Sequence, residues 1–264
     1  MDFTQAEYTR LIIELKRVGY DFITYTEYCS RHKPQKCVIL RHDVDLKPLN
    51  SLCVARIENE IGVKAVYYFR AVPESWDEEV IRKIAEFGHE IGYHYESLTT
   101  CNGEMQMAYR DFCKNLERLR SLASVKTICM HGSPRSPYDS KDIWKEYDFK
   151  ELGILGEPYL TTDFSKMLYL TDTGRRWDGY KVSVRDKIEG CQEQWNEKGW
   201  SFHTTDDIIK ALRENRLPNQ LMITTHPQRW NAFGYTWVKE FIMQNIKNIV
   251  KGVLVRTNSK AGRE

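Results

Sequence analysis

Four short apolar runs in this chain each lead straight into a cluster of histidines or carboxylates. The clusters are Arg41-His42-Asp43-Val44-Asp45, His94-Tyr95-Glu96, His131-Gly132-Ser133-Pro134 and His226-Pro227-Gln228-Arg229-Trp230. Side chains of an extended chain alternate with a period of two, so Asp43 and Asp45 share a side, as do His94 and Glu96. Two carboxylates a few ångströms apart repel, and one stays protonated at neutral pH unless a cation lies beside them. A divalent metal removes that conflict. Mixed histidine and carboxylate ligands suit zinc or another first-row ion, and an open coordination position marks a catalytic centre. Asp45 and His94 are the leading ligand candidates, followed by His131, with Glu96 as the alternative. One Asp or His at a strand end more often satisfies loop backbone groups, but four such ends in one chain outweigh that reading. His32 and His203 lie in polar segments and His89 opens a strand, so surface or packing roles are expected for these three.

The elements that must position these residues can be read from periodicity. Tyr8, Leu11, Ile12, Leu15 and Val18 recur at helical spacing behind Thr4-Gln5-Ala6-Glu7, a capping-box pattern, and predict a helix ending near Gly19. Cys37-Val38-Ile39-Leu40 reads as a strand apolar on both faces. A helix over roughly 46–61, a strand at 65–69, a helix behind Ser75-Trp76-Asp77-Glu78 as far as Phe87 and a strand at 89–94 follow. A helix over 103–122 then leads to the strand Val125–Met130 and a Pro- and Ser-rich loop over 132–140. Between Glu151 and Lys187 the pattern is weaker, with short strand candidates at 152–155, 167–170 and 180–184. A helix from Thr205 to Glu214, the strand Gln220–Thr225 and a helix from Tyr235 to Val250 complete the series. Repeated strand-then-helix units argue for a parallel sheet or barrel, whose ligands gather beyond the carboxyl ends of the strands, where the four clusters fall. No repeat or linker divides the chain. A single domain over 1–264 is expected, with an N-terminal helical extension to about residue 35 and a loose tail over about 256–264.

Composition narrows the function classes. With 264 residues, 41% hydrophobic and 29% charged, the chain is neither disordered, collagen-like nor a coiled coil, and it can bury a sizeable core. Lys plus Arg (39) nearly balance Asp plus Glu (37), so the electrostatic footprint of a nucleic-acid binder is missing. The N-terminal residues show no signal-peptide pattern, and no segment approaches the ~20 apolar residues that span a bilayer, so a cytoplasmic protein is expected. Seven cysteines, an odd number without a C-x-x-C, suit a reducing compartment.

Together these residues resemble the polysaccharide deacetylases of carbohydrate esterase family four (CE4), and within them a divergent branch tied to surface-polysaccharide and O-antigen biosynthesis. The likeness runs from about Val38 to Trp230. Gly88-His89-Glu90-Ile91-Gly92-Tyr93-His94 is similar to the family's G-H-E-I-G-N-H, whose last histidine binds the metal. Arg41-His42-Asp43-Val44-Asp45 stands where the family has T-F-D-D-G, in which the first Asp is the catalytic base and the second a ligand. Ile223-Thr224-Thr225-His226 resembles a late strand ending in a catalytic histidine, and Arg135-Ser136-Pro137-Tyr138 matches R-x-P-Y. Three departures stand beside these matches. Val44 fills the second acidic position, so Asp45 substitutes from one residue later or Asp43 itself binds metal. Leu98 stands where the family has its second metal histidine, leaving His131 or Glu96 as the replacement. His131 also holds the strand position where the family's arginine would sit.

The resemblance implies an α/β fold, an irregular, distorted seven-stranded β/α barrel. It also implies a metal-dependent hydrolase that removes an N-acyl group, acetyl first, from an amino sugar. In that chemistry zinc, or else cobalt, manganese, nickel or iron, is held by Asp45, His94 and His131. Asp43 takes a proton from water, and His226 protonates the departing amine. Arg135, Tyr138 and Trp230 are the expected sugar contacts, with Trp177 a further ring for stacking. The expected substrate is a nucleotide-linked or lipid-linked sugar precursor. Two other classes stay open: a hydrolase of another C–N bond, such as a formamide or cyclic ureide, and a pseudoenzyme that binds carbohydrate without turning it over.

Overall fold

The computed structural model describes residues 1–30, 33–133, 136–178, 188, 190–234 and 237–243. The elements run α1 (Gln5–Arg17), β1 (Asp21–Phe22), α2 (Tyr25–Cys29), β2 (Cys37–Val44), α3 (Pro48–Ile61), β3 (Val66–Phe69), α4 (Glu78–Glu86) and β4 (Glu90–Tyr95). They continue with α5 (Ser97–Thr100), α6 (Met105–Arg120), β5 (Val125–Met130), α7 (Pro158–Thr161), β6 (Leu168–Thr171), α8 (Gln192–Glu197), α9 (Thr205–Arg213) and β7 (Gln220–Thr225). No helix among the described residues is long and apolar enough to cross a membrane.

The strands form one seven-stranded parallel sheet in the order β5-β4-β3-β2-β7-β6, with β1 added to β2. β2 is its axis. β7 lies along one edge over Cys37–His42, while β1 takes Cys37 and Val38 and β3 takes Arg41–Val44 on the other. All eight residues of β2 are buried, as a parallel strand covered on both faces requires. The α/β architecture with seven parallel strands agrees with expectation, and among the described residues the barrel is not closed. Between β5 and β6 the chain makes a single bridge, Gly156 to Thr127, and then enters α7. Tyr159 of α7 reaches inward to Arg41 Nη2 (3.3 Å) and the Tyr169 hydroxyl (3.4 Å), and the buried Glu157 carboxylate accepts the Met130, Tyr159 and Leu160 amides.

Local differences from the sequence reading have identifiable causes. The strand expected at 152–155 is instead a 3₁₀ turn over Phe149–Leu152. It ends at Gly153 with φ 70°, after which Leu155 and Gly156 bond once each to β5. Ser75 does not cap α4. Asp77 accepts the Val80 amide in that role, and Ser75 accepts the Arg70 amide while donating to the Val44 carbonyl, which ties the end of β2 to the loop after β3. Thr4 caps α1 as expected, but Glu7 turns to Arg10 rather than back to the Thr4 amide. β1, only two residues long, carries too little periodicity to be read. The strand candidate at 180–184 and the tail over 256–264 lie outside the described residues, as does most of the helix expected over Tyr235–Val250, of which 237–243 is helical.

The outer face of β2 is anchored by a buried polar cluster. Glu58 on α3 is fully buried and accepts the Tyr8 and Tyr67 hydroxyls, both at 2.5 Å, and lies 2.7 Å from His42 Nε2. His42 Nδ1 is 2.6 Å from the Thr225 hydroxyl, immediately before His226. Burial alone would raise the Glu58 pKa, but His42, His89 and the Tyr67 hydroxyl reverse this and hold it below the usual carboxylate range. A carboxyl with a depressed folded pKa contributes stability above its unfolded value of ~4.3, and that contribution is lost as pH falls through the folded value. Melting temperature should therefore fall as pH drops below about 4, and less so in Glu58→Gln. Removing the acceptor altogether in Glu58→Ala should cost about 3–5 kcal/mol in urea unfolding, the scale for breaking a buried ion pair.

Gly92 of β4 has a steric reason of its own. A Cβ built there would lie 2.3 Å from ring atoms of the fully buried Tyr68 and 3.1 Å from the Thr127 carbonyl. Gly92→Ala must displace a packed ring, and urea unfolding should show a loss of about 1–3 kcal/mol.

Candidate active site

The carboxyl ends of β2, β4, β5, β6 and β7 converge. β2 does not stay extended through Asp45, because the Asp45 amide donates to the Asp43 carbonyl at 3.1 Å in a three-residue turn about Val44. Both carboxylates nonetheless face His94, whose Nε2 lies 3.8 Å from Asp43 Oδ2 and 3.7 Å from Asp45 Oδ1. His94 Nδ1 is 2.9 Å from the Cys129 carbonyl, which can only accept, so the ring proton sits on Nδ1 and Nε2 presents a lone pair. Burial pushes the His94 pKa down to about 4, and the ring is neutral at pH 7.

His131, directly after β5, turns Nε2 to within 3.6 Å of Asp45 Oδ1 and sets Nδ1 2.9 Å from Glu96 Oε2. Glu96 Oε1 in turn accepts from Arg70 Nε (2.9 Å) and Nη2 (2.6 Å). Burial works against the charge on Glu96, but His131 and Arg70 prevail and lower its pKa to about 2. Both Glu96 oxygens are thus engaged, Oε2 with His131 and Oε1 with Arg70, the arrangement of a fixed carboxylate behind an imidazole that could ligate.

Asp45 Oδ2 accepts from Gln228 Nε2 at 3.3 Å, whereas its buried Oδ1 has no hydrogen-bond partner. A buried carboxylate oxygen opposite two imidazoles is costly without something between them. The ligand atoms of Asp45, His94 and His131 all lie within 4.8 Å of one another, and Asp43, His94 and Cys129 form a second such group. One carboxylate and two imidazoles around an orphaned oxygen fit a first-row divalent ion.

Asp43 is locked by Arg41, two residues earlier on the same face of β2. Arg41 Nε donates to Oδ1 at 2.9 Å and Nη2 to Oδ2 at 2.7 Å, and both side chains are almost fully buried. Burial alone would raise the Asp43 pKa, but the Arg41 guanidinium, with His94 and His226, holds it well below the usual carboxylate range. His226, following β7, is fixed from behind by Asp172, the residue after β6. Its amide donates to Asp172 Oδ2 at 3.0 Å, its Nδ1 lies 2.6 Å from Oδ1, and its Nε2 points to Asp45 Oδ2 at 3.8 Å. Asp172 also accepts from Arg229 Nη1 (2.7 Å) and Trp230 Nε1 (2.8 Å). Burial and Arg229 disfavour the imidazolium, but Asp172 and Asp45 outweigh them and raise the His226 pKa above its ordinary value.

Five residues singled out from the sequence, Asp43, Asp45, His94, His131 and His226, therefore come together. Leu98 lies in a small apolar cluster with Ala108 and Ile143. His89 accepts the Ala65 amide and contacts the Ala55 carbonyl, a packing role. Trp230 is fully buried among Phe3, Tyr8 and Trp177, so it backs Asp172 instead of offering a face to a sugar, and Trp177 is likewise buried. Tyr138 packs its ring against Gly103, and Arg135 lies outside the described residues. The sequence reading missed Asp172, Arg41, Arg70 and Gln228. Asp172 was within reach, because it follows the apolar run Leu168-Tyr169-Leu170-Thr171 just as the other site residues follow theirs.

No family model and no curated protein matches the chain. Among solved structures it is similar to a CE4 family pseudoenzyme from Bacillus anthracis, with 12% identity over 84% of this chain and a TM-score of 0.45. The chain spans only 63% of that protein's length. It is also similar to a Streptococcus mutans CE4 esterase (14% identity, 88% of this chain and 87% of the other, TM-score 0.44). A third is a peptidoglycan deacetylase from Bacillus subtilis (10% identity, 82% and 96%, TM-score 0.38).

Proposed function

We propose that this chain is a divalent-metal-dependent hydrolase that removes an N-acyl group, acetyl first, from an amino sugar or sugar precursor used in surface-polysaccharide biosynthesis. The observation that carries the reading is the buried, unpaired Asp45 Oδ1 facing the Nε2 atoms of His94 and His131 at 3.7 and 3.6 Å. These three residues would hold the ion, with zinc the first choice and cobalt, manganese, nickel or iron as alternatives. Such an ion supplies Lewis acidity toward an amide carbonyl and toward water.

The chain's own groups divide the proton work. Arg41 keeps Asp43 ionised, which a proton acceptor for attacking water requires, although the same pairing lowers its basicity. His226 Nε2 is aimed into the site and delivers a proton to the departing nitrogen. Asp172 holds the proton on Nδ1 and stabilises the imidazolium. Arg135 and Tyr138 are assigned to the sugar, carried on a nucleotide or a lipid.

Elemental analysis of protein purified without chelator, together with acetate release from N-acetylated amino sugars, tests the reading. Asp43→Asn should keep its metal and lose turnover by about 10²-fold or more, the worth of a general base. Metal loss equal to that of Asp45→Ala would instead make Asp43 a ligand. The Arg41 clamp on both Asp43 oxygens favours one second reading, a carbohydrate-binding protein without turnover. Metal-loaded protein that binds N-acyl sugars yet hydrolyses no amide, formamide or cyclic ureide would establish it.

A further inference from the structure

β3 lies between β2 and β4, and its carboxyl end supplies no candidate ligand. Arg70, the residue that follows it, nevertheless reaches the ligand segments on both sides. Toward β4, its Nε and Nη2 donate to Glu96 Oε1 at 2.9 and 2.6 Å; toward β2, its Nη1 donates to the Asp45 carbonyl at 3.1 Å. The Arg70 amide is held too, by Ser75 Oγ at 3.0 Å, and the Ser75 hydroxyl donates to the Val44 carbonyl. The turn about Val44 that sets Asp45 opposite the imidazoles is thus held at two successive carbonyls by the loop after β3.

The pairing with Glu96 is one-sided in a way that serves His131. A guanidinium commonly spans both oxygens of a carboxylate, as Arg41 spans Asp43. Arg70 instead sets both N–H groups on Oε1 and leaves Oε2 to His131 Nδ1 at 2.9 Å. A carboxylate oxygen accepts, so this contact places a ring proton on Nδ1 and lets Nε2 turn a lone pair toward Asp45 Oδ1 at 3.6 Å. The Arg70 and Glu96 side chains are only 18% and 14% exposed, so water screens this pair less than a surface one. One cation therefore fixes Asp45 through its backbone and His131 through a carboxylate.

We propose that Arg70 is a positioning residue for the metal site, whose two arms hold Asp45 and His131 in place for one ion. This role rests on the metal-binding half of the hydrolase reading and needs no turnover. Asp45 and His131 are the ligands that lie on separate strand ends with Arg70 between them, so loosening it moves both.

The test is the zinc affinity of the full chain, stripped of metal and titrated in competition with a chromophoric chelator. Arg70→Met should bind zinc about 10²–10³-fold more weakly than the parent and about tenfold more weakly than Glu96→Gln, because it removes the outer partners of two ligands. In the Glu96→Gln background Arg70→Met should still cost about tenfold, through the Asp45 carbonyl alone. Arg70→Lys should restore only part of the affinity, since one ammonium cannot span both partners. Lys83→Met, at an exposed pair with Glu86 on α4, should bind as the parent does. Melting curves separate positioning from folding: zinc raises the melting temperature by mass action, and that rise should shrink in Arg70→Met whatever its melting temperature in chelator. Parent-like zinc affinity in Arg70→Met, a melting temperature lowered equally with and without zinc, or no further loss in the Glu96→Gln background would overturn the proposal. A parent chain that takes up no ion would remove the hydrolase reading and this role together, whereas parent uptake matched by Arg70→Met would remove this role alone.

Discussion

Asp45→Ala is expected to abolish stoichiometric divalent-metal binding and hydrolysis together, and His94→Ala to do the same. Asp45 is the one residue at which the site's imidazoles meet: His94 and His131 approach Oδ1, and His226 lies 3.8 Å from Oδ2. Its removal leaves the His131 lone pair with no anion opposite it and the His94 lone pair facing only Asp43, whose charge Arg41 already neutralises, an arrangement with little hold on a cation. Glu96→Gln provides the graded comparison. Glu96 touches His131 and not the cavity between the ligands, so its loss should weaken affinity by about 10–100-fold, the usual cost of an outer partner, without abolishing binding. The ordering His131→Ala well below Glu96→Gln, read by metal content after dialysis against a buffered ion, supports His131 as the third ligand. The reverse ordering would transfer that role to Glu96. Stability gives an independent readout, because ion bound only by the folded state raises the melting temperature by mass action. Chelation should lower the melting temperature of the parent protein and leave that of Asp45→Ala unchanged.

Much of this arrangement was legible in the sequence because strand ends announce themselves. An apolar run buried on both faces stops where the chain leaves the sheet, so the polar residue that follows is placed at the carboxyl edge almost by construction. That logic located His131 and His226 just past β5 and β7, and Asp43 and His94, which the structure keeps within the last two residues of β2 and β4. It failed where the positioning is done across strands. Arg41 lies inside β2 and looks from its sequence like part of the motif it stabilises; only the register of the strand shows both its nitrogens on Asp43. Asp172 reaches His226 from β6, a neighbour in space 54 residues away in sequence, and no local pattern joins them. The turn at Val44 was equally hidden: alternation alone put Asp43 and Asp45 on one side, and the structure reaches the same juxtaposition by a bend. Trp230 misled for the opposite reason. An aromatic residue beside a catalytic candidate suggests a sugar platform, yet its indole N–H is committed to Asp172 and its rings to the core.

His226→Gln is expected to lower turnover by about 10²–10⁴-fold while leaving metal content intact. The distinction from a ligand follows from geometry. His226 Nε2 faces Asp45 Oδ2, the oxygen that accepts from Gln228, and not the unpaired Oδ1 that His94 and His131 share. Asp172→Asn should produce a loss of the same kind, because an amide no longer fixes the proton on Nδ1 or compensates the imidazolium, even though Arg229 and Trp230 still hold the side chain in place. The leaving group separates a proton donor from a structural residue. An amine is too basic to depart unprotonated, whereas a nitrophenolate leaves without help. An acyl ester of nitrophenol should therefore be cleaved by His226→Gln at close to the parent rate, while the N-acyl sugar is cleaved far more slowly. Equal losses on both substrates would reduce His226 to a structural histidine of the Asp172, Arg229 and Trp230 cluster, and loss of metal in the variant would place it among the ligands.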